Sequence, residues 1–217
     1  LVADARFKDV KNTIPINYFD YDNYLLLRDS TSRLINRKYC LFLDDNIVFD
    51  PDLIILRRKT VESNNYYKEL NKYFELIENK YAIEVVIAAH PKSNYKSDLF
   101  CGRKVYQDKT NELTKDCEFA IAHYSTSVAF PVLYKKPINF IYTNSMKNMF
   151  YYNIILGFAK ELDSPADNIS NIEAAATLNF RPVNLDAYER YKYNYLTSKK
   201  TENKMSKDIF MDYVLNE

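Results

Sequence analysis

The chain has 217 residues, 30 Lys and Arg against 29 Asp and Glu, 47% hydrophobic and 15% aromatic residues, and two glycines. The near-zero net charge argues against the sequence-independent phosphate contact by which basic proteins hold nucleic acid, and the apolar content excludes a disordered chain. An average chain of this length carries about fifteen glycines at the usual ~7%; with Gly102 and Gly157 far apart, neither a G-x-x-x-x-G-K-[ST] loop nor a G-x-G-x-x-G turn exists, so any phosphate must be held in another way.

In chain order, residues 12–29 suggest a strand from Ile14 to Phe19 and a short helix from Tyr21 to Arg28. Tyr39 to Leu43 is a continuous apolar run ending in Asp44-Asp45-Asn46. A helix is predicted over Val61 to Tyr81, because Tyr66, Leu70, Tyr73, Phe74 and Ile77 share one helical face. Ile83 to Ala89 is a β-branched strand stopped by His90-Pro91. A weak helix over Thr110 to Asp116 precedes the apolar strand Glu118 to His123, which runs into Tyr124-Ser125-Thr126-Ser127. A short helix through Leu133, in which Pro131 predicts a kink or a late start, leads to the stop signal Lys135-Lys136-Pro137 and the strand Ile138 to Tyr142.

Beyond it, Met146 to Glu161 reads as a helix, residues 163–186 as loop with some helix, and 187–197 and 203–215 as terminal helices. Continuous apolar strands alternating with helices predict an α/β chain, a Rossmann-like doubly wound parallel sheet with helices on both faces. One domain is expected, with its core over about 38–160 and loop and terminal helices over 163–217.

Cys40, Cys101 and Cys117 are odd in number and form no C-x-x-C pair, which suggests a reducing compartment and a cytoplasmic location. With two histidines, no zinc-ligand spacing is recognisable, and neither a metal nor a cofactor is expected. No apolar run approaches the ~18 residues of a membrane span. The first residue is Leu, which leaves open an N-terminal portion beyond this sequence.

Ligands of open parallel sheets bind outside the carboxyl ends of the strands. Here those ends carry Asp44, Asp45, His90, Ser125, Thr126, Ser127, Tyr142 and Thr143. Hydroxyls at Ser125, Thr126 and Ser127 suit either plain helix capping or, with the helix N–H groups, a phosphate. Pro91 holds His90 extended at the sheet rim, where its imidazole can meet a phosphate or donate a proton, or serve structure alone. His123 reads as a core histidine. Asp44 and Asp45 are adjacent, so they diverge to opposite faces, and one of them is expected to cap the next turn. Arg103, with Lys92, Lys96 and Lys104, is a candidate partner for phosphate oxygens.

Several pieces occur in one order: Phe42-Leu-Asp-Asp45, Ala88-Ala-His-Pro-Lys-Ser93, Gly102-Arg103, Thr110-x-Glu-Leu113, His123-x-Ser-Thr-Ser127 and Leu133-x-Lys-Lys-Pro137. Together they resemble the C-terminal nucleotide-binding half of bacterial surface-carbohydrate glycosyltransferases of GT-B type, most closely the sialyltransferase-like enzymes with His-Pro and Ser-Ser/Thr motifs. The matching stretch runs from about Tyr39 to Thr143. The resemblance implies an inverting, metal-independent transfer of sugar from a nucleotide donor, CMP-linked by preference, in polysaccharide or lipooligosaccharide synthesis. It implies His90 as the catalytic residue on the donor phosphate or leaving group. It assigns donor binding to His90, Pro91, Ser125, Thr126, Ser127 and Arg103, with Asp44, Asp45 and Thr143 as rim residues.

The acidic base motif of that family's N-terminal domain has no counterpart here, so its acceptor domain belongs to an upstream segment, or the chain acts differently. The expected partners are a nucleotide sugar and a carbohydrate acceptor, with no nucleic acid. Peripheral association with the inner face of a membrane and the oligomeric state stay open. Two other readings stand beside this one: a non-catalytic Rossmann-like binding domain of a carbohydrate-assembly complex, and a sugar-nucleotide epimerase-like or polyol-phosphate transferase relative.

Overall fold

The computed structural model describes residues 13–50, 53, 55–95, 98–171 and 181–215. Six parallel strands form one sheet in the order β3-β2-β1-β4-β5-β6. They are β1 (Tyr39–Leu43), β2 (Glu84–Ala89), β3 (Val105–Gln107), β4 (Phe119–Ala122), β5 (Ile138–Tyr142) and β6 (Ala166–Asn168). Every residue of β1 and β4 is buried, as a strand covered on both faces must be. The chain steps outward from β1 to β3, returns to β4 beside β1, and steps outward the other way. This is the doubly wound Rossmann order, and its switch point lies between β1 and β4.

The covering helices follow from their apolar spacing. Helix α1 is Phe19–Leu27, α2 Ser63–Tyr81, α3 Thr110–Asp116, α4 Ala129–Leu133, α5 Phe150–Glu161, α6 Leu185–Tyr191 and α7 Ser206–Leu215. Helix α2 begins at Glu62, whose carboxylate accepts from the N–H groups of Asn64 and Asn65 at 2.9 and 2.8 Å. It buries Tyr66, Tyr67, Leu70, Tyr73, Phe74 and Ile77, each large side chain contributing roughly 1.5–3 kcal/mol on leaving water. It ends at Ala82, in the left-handed region with φ 51°, a place glycine would ordinarily take. The scarcity of glycine is thus visible in the backbone.

Differences from the sequence reading are local. Residues 13–18 form no strand; Tyr18 N–H donates to the Leu196 carbonyl at 2.7 Å, and the helix starts at Phe19. Strands β3 and β6 have three residues each and little burial, so no apolar run announces them. The Met146–Glu161 helix is split into a 3-10 turn over Asn144–Asn148 and α5. Helix α4 starts late, at Ala129 after a 3-10 turn over Thr126–Val128, which puts Pro131 in its first turn, where no N–H is required. It closes as expected at Lys135-Lys136: Lys136 N–H donates to the Pro131 carbonyl at 2.8 Å, and Lys135 is left-handed. Part of 163–186 lies outside the described residues.

Candidate functional site at the sheet switch point

Register brings the polar strand ends to one level. Leu43, the last residue of β1, pairs with Ala88 on one side and with Ala122 on the other. The segments that leave these strands, Asp44–Asn46, His90–Lys92 and Tyr124–Ser127, therefore emerge together. All of their residues except Asp44, an expected rim residue that does not line it, border a cleft of about 310 Å³ with Phe19 and Asp20 from the start of α1 and with Asp50. The sequence-predicted residues Asp45, His90, Pro91, Ser125, Thr126 and Ser127 all line it.

The paired aspartates diverge as strand geometry requires. Asp44 reaches toward β2: its carboxylate accepts from the N–H groups of His90 at 3.3 Å and Asn46 at 3.1 Å, and from the Tyr95 hydroxyl. Its bond from Asn46 N–H is the turn cap expected of one of the pair. Burial pushes its carboxyl up, against these hydrogen bonds. Asp45 reaches toward β4, accepting from Tyr124 N–H at 3.1 Å and from the Ser125 hydroxyl. Burial, with the neighbouring charges of Asp44 and Asp50, pushes it up to about 7. The two carboxylates staple the end of β1 to the loops after β2 and β4.

His90 is held in one orientation. Lys92 N–H donates to its Nδ1 at 3.1 Å, so the neutral ring carries its proton on Nε2. Ser125 is the cap of the 3-10 turn: its Oγ accepts from Ser127 N–H at 3.3 Å, and Val128 N–H donates to its carbonyl at 3.2 Å. The capping alternative therefore describes Ser125, while Ser127 enters the cap through its N–H and not its hydroxyl.

Two expected site residues lie elsewhere. The Arg103 guanidinium donates to both oxygens of Glu78, at 2.9 and 2.6 Å, to Asn71 Oδ1 at 2.9 Å and to the Phe100 carbonyl at 3.1 Å. Its fork is consumed in clamping α2, which corrects its assignment to phosphate. Thr143 is buried at the end of β5, where its hydroxyl meets Ser145 Oγ at 2.7 Å and its carbonyl accepts from Met146 N–H. It caps a turn and does not line the cleft. Lys92 lines the cleft and Lys104 does not; Lys96 lies outside the described residues. Among the described residues, no three His, Cys, Asp or Glu side chains gather as metal ligands, and no helix is long and apolar enough to cross a membrane.

His123 belongs to the core. It is fully buried, its Nδ1–H faces the Ile141 carbonyl at 2.6 Å, and burial pushes its pKa down to about 4. Conversely, sequence reasoning missed Phe19, Asp20, Asn46 and Asp50. Asp50 lies at no strand end, and Phe19 and Asp20, which follow an expected strand that does not form, stand instead at the start of α1.

A scan against protein-family models and a search of curated proteins return no match. Among solved structures, the chain is similar to the glycosyltransferase SnogD from Streptomyces nogalater, with a TM-score of 0.45 and 11% sequence identity over 86% of this chain and 46% of that one. This chain spans about half the length of that protein.

Proposed function

We propose that this chain is the donor-binding half of a GT-B glycosyltransferase, which takes a sugar from a nucleotide-activated donor, CMP-linked by preference, for surface polysaccharide or lipooligosaccharide. The observation that carries the reading is His90. It lines a cleft at the sheet switch point with its proton placed on Nε2 by the Lys92 N–H, and Thr126 and Ser127 line the same cleft. As the glycosidic bond breaks, its electron pair goes to a phosphate oxygen of the nucleotide, and preorganised donors stabilise that charge. Lys92 adds a positive charge to the same wall.

In this reading His90, Ser127 and Thr126 face the donor phosphate, and Asp44 and Asp45 position the loops that carry them. The base that deprotonates the acceptor is assigned to no residue by the family motif. The carbohydrate acceptor itself belongs to the other half of such an enzyme.

Thermal-shift titration with CMP, CDP, UDP and GDP tests the reading. CMP-selective stabilisation is expected; UDP-selective stabilisation favours an epimerase-like or polyol-phosphate relative, and no response favours a non-catalytic binding domain. His90→Ala should weaken the CMP response about tenfold or more, the value of one hydrogen bond to a charged group. An unchanged response removes His90 from the site.

A further inference from the structure

The donor reading leaves one carboxylate of the cleft unexplained. Asp20 is 4% exposed and lines the cleft. Burial alone shifts its pKa, upward to about 6, with no hydrogen bond or cation to offset it. Its neighbour in the same helical turn shows what a structural carboxylate looks like here: Asp22 accepts from Asn17 Nδ2 at 2.8 Å and from Ser206 N–H at 3.1 Å. The α1 N-terminus favours negative charge in its first turn, yet Asp20 receives no such bond.

A second acceptor shares this condition. Asn46 Oδ1 is buried without a partner, and Asn46 lines the same cleft. Burying unpaired polar atoms is costly, and native proteins retain few of them. Asn46 Oδ1 is the fully buried orphan, while the Asp20 carboxylate stays open to the cleft; both groups are acceptors, so what they lack within the protein is a hydrogen-bond donor. A phosphate offers none and would be repelled by Asp20, together with Asp45 and Asp50. A hydroxyl group of a sugar offers one, and its bond to a carboxylate is of the strong, charge-assisted kind.

We propose that Asp20 is a specificity-determining residue that receives sugar hydroxyl groups of the bound nucleotide donor. This inference rests on the nucleotide-sugar reading. The hydroxyls come either from the ribose or from the transferred sugar, and the two are separable by experiment.

Calorimetric titration of the whole chain with CMP, 2′,3′-dideoxy-CMP and CMP-N-acetylneuraminate makes the test, on wild type, Asp20→Ala and Asp20→Asn. The expected result is a loss of about tenfold or more for a hydroxyl-bearing ligand in both variants, with dideoxy-CMP affinity unchanged within about twofold. A loss for CMP and not for dideoxy-CMP assigns the ribose; a loss for CMP-N-acetylneuraminate and not for CMP assigns the transferred sugar. Equal affinities of wild type and both variants for all three ligands overturn the proposal, as does an equal loss for all three. If wild type binds none of them, the CMP-sugar reading itself falls and this inference falls with it. Asp20→Asn keeps the shape of the side chain and guards against a folding defect in Asp20→Ala.

Discussion

The Tyr66 hydroxyl donates to His123 Nε2 at 2.9 Å inside the core, tying α2 to β4. The other ring nitrogen carries its proton toward the Ile141 carbonyl of β5. Burial of the ring disfavours its charged form, so this pair has a direct consequence for stability in acid.

His123 has a folded pKa of about 4 and an unfolded value of ~6.5. Between these pH values the unfolded chain binds the extra proton, so stability contributed by the neutral ring is full above ~6.5 and is lost as pH falls toward 4. The loss is on the order of 3 kcal/mol. Urea unfolding of wild type and His123→Leu at pH 4.5 and 7.5 checks this. The stability gap between the two proteins should shrink at pH 4.5; a gap independent of pH would contradict the neutral core histidine.

Asp45 works in the opposite sense. Its folded pKa of about 7 lies above its unfolded value, so the folded chain holds the extra proton and stability declines as pH rises through 7. Asp45→Asn keeps an acceptor for Tyr124 N–H and removes the buried charge. It should stabilise the protein at pH 8 relative to pH 5 by on the order of 2–4 kcal/mol. Melting temperatures of the variant and wild type at the two pH values decide it, and a variant shifted equally at both would refute the assignment.

Arg103 separates structure from ligand binding. With the Arg103 side chain 9% exposed and bonded to Glu78, Arg103→Ala leaves a largely buried carboxylate without its cation, with only Val85 N–H still donating to it. The cost should be about 2–3 kcal/mol, read as a lower denaturation midpoint, while CMP affinity at saturating folded protein stays unchanged. A selective loss of CMP binding at full stability would return Arg103 to the site.

Ser125 and Ser127 should part company in the same way. Ser125→Ala removes the cap on Ser127 N–H and a hydroxyl bonded to Asp45, at a cost of ~1 kcal/mol or more. Ser127→Ala should stay within ~0.5 kcal/mol of wild type and weaken CMP binding. Paired unfolding and calorimetric titrations of both variants test the division; the reverse pattern would exchange their roles.

Much of this site was legible because strand ends are. An apolar run that stops at Asp44, at His90 or at Tyr124 marks the level where a parallel sheet meets solvent, and Leu43, Ala88 and Ala122 indeed lie side by side. The hydrophobic face of α2 from Tyr66 to Ile77 was equally plain, because one helix period decides it. Local patterns of this kind are set by burial alone and need no knowledge of a partner.

What local pattern could not decide is who meets whom. Arg103 reads as a free cation until Glu78, 25 residues earlier, is packed against it. The edge strands β3 and β6 exist because β2 and β5 present unpaired backbone groups to them, not because Val105–Gln107 or Ala166–Asn168 is apolar. Asp20 lies far ahead of β1 in sequence and reaches the cleft only because α1 packs on α3 and α4. The sequence by itself determined the layered sheet and the level of its rim. Only the tertiary structure decided which charges are consumed by neighbours and which are left facing the cleft, because that depends on contacts between segments whose spacing along the chain carries no signal.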